Sequence, residues 1–102
     1  MSNLTYITLY QNEVRAIEIE IRDQYDELWY PSSAYVKFLD EDGNTVINEI
    51  PAYVSENTIN TIVSSSITAT PGKYYLIWRI LKESGSNTYT YYHKTCLVVE
   101  EL

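Results

Sequence analysis

The stretch that decides the fold is Pro71-Gly72-Lys73-Tyr74-Tyr75-Leu76-Ile77-Trp78-Arg79-Ile80-Leu81, a turn followed by the longest apolar run of the chain. Pro71 fixes φ and Gly72 accepts a positive φ, so this pair predicts a turn. The aromatic residues of the run, and the polar residues 84–87 that interrupt it, favour a strand over a helix. Side chains alternate along a strand, and both alternating sets are largely apolar, which is typical of a central strand.

Other segments also alternate with a period of two. The alternation is clearest where Ile17, Ile19 and Ile21 are separated by charged residues, and further strands are expected over residues 4–10, 34–39, 59–63 and 88–100. Asp42-Gly43 predicts a hairpin, followed by a returning strand over residues 45–54 with Pro51 at an edge or bulge. The total of about seven short strands predicts an all-β, two-sheet antiparallel sandwich.

Length and composition limit the classes of function. A chain of 102 residues predicts a single domain over residues 1–102. Fourteen acidic and seven basic residues give a formal charge of −7, and the basic residues are dispersed along the sequence. This charge disfavours nucleic acid and anionic membranes as partners. The sequence shows neither a signal peptide nor an apolar segment of membrane-spanning length.

Candidates for catalysis or metal binding are few, and each has a structural interpretation. Cys96 and His93 stand three apart on one predicted strand and would face opposite sides, so we expect Cys96 to be buried, His93 to be exposed and neither to be catalytic. A single cysteine also excludes an internal disulfide. Asp40, Asp42 and Asn44 could offer oxygen ligands to calcium, but an acidic hairpin turn is favoured because the rest of a calcium loop is missing. No catalytic residue, metal or cofactor is predicted.

The eleven tyrosines are the most unusual part of the composition. Tyrosine is favoured both on strands and at protein interfaces, and the sequence leaves the two explanations open. Five aromatic residues are candidates for an interface: Trp29 and Tyr30 in the connection over residues 23–33, and Tyr89, Tyr91 and Tyr92 on the last strand. For Trp29, together with Leu28, closing one end of the core is the competing prediction.

The segment Thr70-Pro71-Gly72-Lys73-Tyr74-Tyr75-Leu76 resembles the corner of immunoglobulin-like domains, with Leu76 where those domains carry a disulfide cysteine. The resemblance implies an immunoglobulin-like sandwich in which Gly72 and Tyr74 form a structural corner, with the Tyr74 hydroxyl bonded to nearby backbone. The missing disulfide suits a protein made in a reducing cytoplasm.

The wider pattern over residues 34–99 is similar to the N-terminal domain of tailed-phage upper baseplate proteins and to phage capsid accessory and head-fibre attachment modules. Its parts are Tyr-Val-Lys-Phe-Leu-Asp-Glu-Asp-Gly-Asn, Thr-Ile-Asn-Thr-Ile, Pro-Gly-Lys-Tyr-Tyr-Leu-Ile-Trp-Arg-Ile and a strand ending in Leu-Val-Val. The resemblance implies a non-enzymatic structural protein of the virion, assembled in the host cytoplasm. It would act as a decoration or adaptor subunit and bind the major capsid protein or another virion protein in many copies.

Alternatives remain open from the sequence. A baseplate or tail component is close to the first hypothesis. A carbohydrate-binding module would use exposed aromatic rings to stack on sugars, and a small enzyme or inhibitor would need a site on the loops.

Overall fold

The computed structural model describes residues 5–23 and 25–102, and within them it places eight strands and one short helix. Leu4, the predicted start of the first strand, lies outside the described residues. The elements are β1 (Thr5–Tyr10), β2 (Arg15–Glu20), β3 (Ser33–Asp40), β4 (Thr45–Pro51), β5 (Tyr53–Ser55), β6 (Thr58–Val63), α1 (Ser65–Thr68), β7 (Gly72–Ser84) and β8 (Asn87–Glu100). The prediction of an all-β protein is confirmed.

The strands form two sheets. The large sheet has the order β1-β8-β7-β3-β4 and the small sheet the order β2-β6-β5. All pairs are antiparallel except β1 with β8, which run parallel from Thr5↔Thr95 to Tyr10↔Glu100. The organising strand, β7, lies at the centre of the large sheet between β8 and β3, as its two apolar sets predict.

The core lies between the sheets and follows the alternation of the sequence. From β7 it takes Tyr74, Leu76, Trp78 and Ile80, and the partner strands add Val36, Phe38, Ile59, Leu97 and others, all buried. Trp78 is completely buried, and its indole Nε1 donates a hydrogen bond of 2.9 Å to Thr95 Oγ1. The one buried indole N–H of this strand therefore has an acceptor, as burial requires.

The structure corrects one predicted strand. Residues 45–54 do not form a single strand, because the chain leaves the large sheet after Pro51 and enters the small sheet at Tyr53. Pro51 ends an edge strand, where its missing N–H costs no ladder hydrogen bond. The Ala52 N–H donates to the Ala34 carbonyl oxygen at 2.9 Å, which fixes the point where the chain changes sheets.

One end of the sandwich, which we call the corner end, is closed by α1, the β1–β2 turn and the start of β7. The Thr68 hydroxyl donates to the Glu13 carbonyl at 2.7 Å, and the Asn12 N–H donates to the Thr68 carbonyl at 2.9 Å. The Tyr74 hydroxyl donates to the Thr70 carbonyl at 2.7 Å, which is the kind of bond that the sequence resemblance implied. Gly72 has φ of +147°, a conformation that L side chains rarely adopt.

The β7–β8 hairpin is the longest feature of the molecule. Its strands have 13 and 14 residues, whereas β2 and β6 of the facing sheet have 6 each. At ~3.3 Å per residue the hairpin outreaches the small sheet by roughly 20 Å, consistent with extents of 47 × 25 × 23 Å. The far end of the hairpin therefore lacks a second sheet to cover it. Among the described residues, no helix is long and apolar enough to span a membrane.

Candidate functional site

A groove opens where the small sheet stops and the β7–β8 hairpin continues, and we call this the groove end. It has a volume of about 850 Å³. Its lining comes from the end of β2, the connection that follows it, and the hairpin: Ile19, Glu20, Ile21, Arg22, Asp23, Tyr25, Asp26, Trp29, Ile80, Tyr91, Tyr92 and His93. The floor is apolar and aromatic, and the rim carries charged groups, a combination that is usual in binding sites.

Residues 21–23 and 25–30 form one wall of the groove, because the second segment folds back against the first. Asp23 Oδ1 accepts hydrogen bonds from the Tyr25 and Glu27 N–H groups at 2.8 and 3.0 Å. The Trp29 N–H donates to the Ile21 carbonyl at 3.1 Å. Short polar side chains such as Asp stabilise turns in this way, and here the turn brings Trp29 back over the end of β2.

The Trp29 ring is held from two sides. It meets the Tyr91 ring edge to face, with centroids 5.0 Å apart and planes at 81°, and the Lys82 Nζ lies 4.9 Å from its centroid. Both geometries are favourable for aromatic rings. Trp29 is half-buried and packs against the core, as the sequence predicted, whereas Leu28 is 43% exposed and closes nothing. The prediction that Leu28 helps to close one end of the core was wrong, since Leu28 pairs with Arg22 in an isolated antiparallel bridge and its side chain stays exposed.

The charged rim is held together by Arg22. Its Nε lies 2.6 Å from Glu20 Oε1 and 3.9 Å from Asp26 Oδ1, and its Nη1 donates to the Asp26 carbonyl at 2.8 Å. The hydrogen bond that Arg22 donates to Glu20, followed by the negative charges of Glu20 and Asp26, raises the pKa of the Arg22 guanidinium. Glu20, Arg22 and Asp23 thus all have structural partners, and the rim is a set of fixed charges.

His93 differs from its prediction. It is half-buried at the groove rather than exposed, because its position in β8 pairs with the core residue Trp78 and so faces inward. Burial lowers the pKa of the imidazole by penalising its charged form. Cys96 is buried, as predicted, but pairs with Tyr75 on the opposite face of the sheet. The two residues therefore do not form a nucleophile and base.

Three of the five predicted interface residues, Trp29, Tyr91 and Tyr92, line the groove. Tyr89 and Tyr30 do not, although both are about half exposed. By strand alternation the Tyr92 side chain stands beside Arg79 on the outer face of the large sheet, so it contributes to the rim. The apolar floor from Ile19, Ile21 and Ile80 was missed, and the unequal strand lengths of the two sheets were the signal that could have revealed it.

The predicted acidic turn forms as a hairpin turn. Asp40 Oδ1 accepts hydrogen bonds from the Asp42 and Asn44 N–H groups at 3.0 and 2.9 Å. Gly43 has φ of +87°, as the turn requires. Within residues 5–23 and 25–102, no group of three or more His, Cys, Asp or Glu side chains is arranged to hold a metal ion.

Comparison with known proteins finds a solved structure with a similar fold but no matching family. No protein-family model and no curated protein matches the chain. Among solved structures it is similar to a family 123 glycoside hydrolase from Clostridium perfringens, whose structure was determined in a study of glycolipid glycan hydrolysis, with a TM-score of 0.54 and 12% identity. The match covers 98% of this chain and 23% of that one, so the chain spans about a quarter of the hydrolase. At this identity the similarity concerns the fold alone.

Proposed function

We propose that this chain is a non-enzymatic, immunoglobulin-like structural subunit of a tailed-phage virion, acting by binding a neighbouring virion protein. Two features support the immunoglobulin-like assignment: the order β1-β8-β7-β3-β4 opposite β2-β6-β5, and the Tyr74 hydroxyl bonded to the Thr70 carbonyl. The virion role rests on the sequence resemblance over residues 34–99. The partner is the major capsid protein or another virion protein, and many copies bind per particle. The closest alternative is that the chain is a component of the tail or baseplate.

The observation that carries the binding role is the aromatic groove. Trp29 and Tyr91 present ring surface at its wall and floor, and Tyr91 is 51% exposed. Aromatic side chains that are held in place and still accessible contribute strongly to protein interfaces, because little conformational entropy is lost on binding. A partner segment seated there would bury apolar area that the second sheet does not cover.

The chemistry of the groove supports binding over catalysis. A hydrolytic site needs a nucleophile or a pair of carboxylates aimed at one reacting atom. Here Glu20 and Asp26 are held by Arg22, and Asp23 caps the turn through backbone N–H groups. These groups position the wall of the groove, and Cys96 lies on the opposite face of the sheet from His93.

Co-sedimentation with capsids, assembled from the major capsid protein encoded in the same genome, tests this proposal. We expect the wild-type chain to pellet with capsids in a fixed ratio, and Tyr91→Ser to weaken that binding by more than about tenfold, as loss of an aromatic hot spot does. Tyr53→Ser is the matched control, because Tyr53 is a 71% exposed tyrosine of the small sheet. Equal binding by both variants, or no binding by the wild type to any particle protein, would refute the proposal.

A carbohydrate-binding role is the second candidate, favoured by the same groove. Aromatic rings beside carboxylates and a guanidinium can stack on a sugar ring and bond its hydroxyls. A glycan array with the wild-type chain and Tyr91→Ser separates the two candidates. Binding to a defined glycan that Tyr91→Ser abolishes would support this second role, and an array without any binder would eliminate it.

A further inference from the structure

The outer face of the large sheet carries an ordered pattern of side chains that shares only Tyr92 with the groove. The strand register aligns outward side chains in three successive rows across the sheet. One row is Tyr35–Arg79–Tyr92, the next is Lys37–Ile77–Lys94, and the third is Leu39–Tyr75–Cys96–Tyr6. A row with two lysines is thus flanked by two rows containing tyrosines.

One cation–π contact lies within a row and another joins two neighbouring rows. The Arg79 guanidinium carbon lies 4.7 Å from the Tyr35 ring centroid, and the Lys94 Nζ lies 4.3 Å from the Tyr75 centroid. These contacts fix the inner rings, whereas Tyr6 and Tyr92 at the margin are 70% and 65% exposed. The face therefore combines immobilised cations with accessible aromatic area.

The charge of this face is opposite to that of the molecule. Arg79 is neutralised by Glu49, which accepts from its Nε and Nη2 at 3.0 and 2.6 Å. Lys37 and Lys94 form no salt bridge among the described residues, although the pKa of Glu49, lowered chiefly by its hydrogen bond from Arg79, is also lowered by the charge of Lys37. One carboxylate therefore faces three cations, and the middle of the face is positive on a chain of formal charge −7. The sequence prediction of dispersed basic residues is corrected here, because β3, β7 and β8 bring Lys37, Arg79 and Lys94 together.

Carboxylates surround this positive centre. By alternation Glu83 and Glu100 lie near the two ends of the face, and the turn of Asp40 and Asp42 lies beside Lys73 at the corner end. A complementary surface would therefore be acidic at its centre and not at its margin. A sheet face of five strands is roughly 25 Å across in each direction, or about 600 Å², close to the ~800 Å² that each partner contributes to a standard protein interface.

We propose that this face is a second docking surface, and that its occupant is a protein surface carrying an acidic cluster with exposed aromatic or apolar groups. Nucleic acid fits less well, because its dense backbone charge would also meet the surrounding carboxylates and the net charge of −7. On a protein surface the charges are sparse, and at physiological salt those beyond about 8 Å are screened. The positive charge at the centre of the face then dominates the electrostatic energy of binding. This inference does not depend on the virion role or on the groove.

The test measures binding of three probes to the purified chain at physiological ionic strength by fluorescence anisotropy: a random copolymer of glutamate and tyrosine, polyglutamate, and oligothymidylate of matched charge. We expect the copolymer to bind most tightly and its affinity to fall as salt is added. The double substitution Lys37→Glu with Lys94→Glu should weaken copolymer binding by more than about tenfold, because like charges would then meet at the centre.

The matched control is Arg15→Glu with Ser55→Glu and Ile62→Glu, which makes the same change in net charge at exposed positions of the small sheet, away from this face and from the groove. It should alter affinity by less than about threefold, since only long-range, screened interactions change. If the face variant misfolds, Lys37→Gln with Lys94→Gln tests the same site without introducing repulsion. Tyr6→Ser should remove the preference for the copolymer over polyglutamate. Equal losses in the face and control variants, tighter binding of oligothymidylate, or no binding of the copolymer would each overturn the proposal.

Discussion

The two ends of the sandwich are built from the same alternating strands and differ in how they are closed. At the corner end, Ile67 and Thr68 of α1 are buried, and Thr68 and Tyr74 both donate to backbone carbonyls. At the groove end, the last residues of β2 and the hairpin enclose an open volume. The buried Asn57 Nδ2 in the nearby β5–β6 turn finds no acceptor among the described residues.

The difference shows that closure of a sandwich depends on strand length more than on hydrophobicity. Ile19, Ile21 and Ile80 at the groove end are as apolar as the residues of the corner end, yet Ile19 and Ile21 are only partly buried. The small sheet stops too early to cover the hairpin. Stability should therefore be concentrated at the corner end, and capacity for binding at the groove end.

The largest difference in stability between the two ends is expected when an isoleucine at each end is truncated to alanine. Ile67→Ala removes a side chain that is 1% exposed, and should lower the free energy of unfolding by about 2–5 kcal/mol. Ile19→Ala, the matched variant at the partly buried end of β2, should cost only about 1 kcal/mol. Urea denaturation followed by tryptophan fluorescence measures both. Similar losses would show that the two ends are equally well packed.

Replacing a buried polar side chain by an apolar one should change stability in opposite directions at the two ends. Thr68→Val removes a buried hydroxyl that is bonded to the Glu13 carbonyl, and should cost about 1–2 kcal/mol because that acceptor is left unpaired. Asn57→Leu removes a buried donor that lacks an acceptor, so stability should stay the same or rise by up to about 1 kcal/mol. Thermal unfolding of both variants compares them directly. A large loss in Asn57→Leu would reveal a partner for this amide.

A smaller loss of stability is expected when only the Tyr74 hydroxyl at the corner end is removed. Tyr74→Phe keeps the buried ring and removes the bond to the Thr70 carbonyl, so it should cost about 1 kcal/mol. Tyr91→Phe at the groove end, whose hydroxyl forms no hydrogen bond among the described residues, is the control and should leave stability unchanged. Chemical denaturation of the two variants measures both changes in the free energy of unfolding. An unchanged midpoint in Tyr74→Phe would mean that the ring alone holds the corner.

The smallest expected effect is on the pH dependence of stability. Burial lowers the pKa of His93 in the folded state below its ordinary value of 6.5, so folding favours the neutral imidazole. The stabilising contribution is present above about pH 6.5 and is lost as the pH falls through the lowered pKa of the folded state. His93→Gln should flatten the stability profile between neutral pH and about pH 5, above the range where Glu49 and Glu13, whose pKa values are lowered, begin to protonate. An identical profile in the variant would show that another group causes the slope.

The sequence predicted most of the strands because burial on one face imposes a period of two. β2, β3, β7 and β8 were located in this way, and the Asp42-Gly43 turn was identified from its chemistry. The change of sheet at Ala52 was missed, because residues on both sides of Pro51 have similar strand propensity and only pairing partners distinguish the sheets. The one-turn helix α1 is too short to give a periodic signal.

The candidate site was predicted in part. Trp29, Tyr91 and Tyr92 were identified from residue type, whereas Arg22 and His93 were not, because their roles depend on where the connection over residues 21–30 folds back. The positive centre on the outer face was also missed. Lys37 and Lys94 are far apart along the chain, and only the register of β3, β7 and β8 places them in one row.

The parallel pairing of β1 with β8 also has a mechanical consequence. Six consecutive residue pairs, Thr5↔Thr95 to Tyr10↔Glu100, join these two strands. Because the strands run in the same direction, tension applied between Thr5 and Glu100 pulls them along their length and loads the hydrogen bonds together. Bonds loaded in shear must break cooperatively, whereas bonds at the end of a hairpin open one after another. The molecule is thus arranged to resist stretching along its long axis.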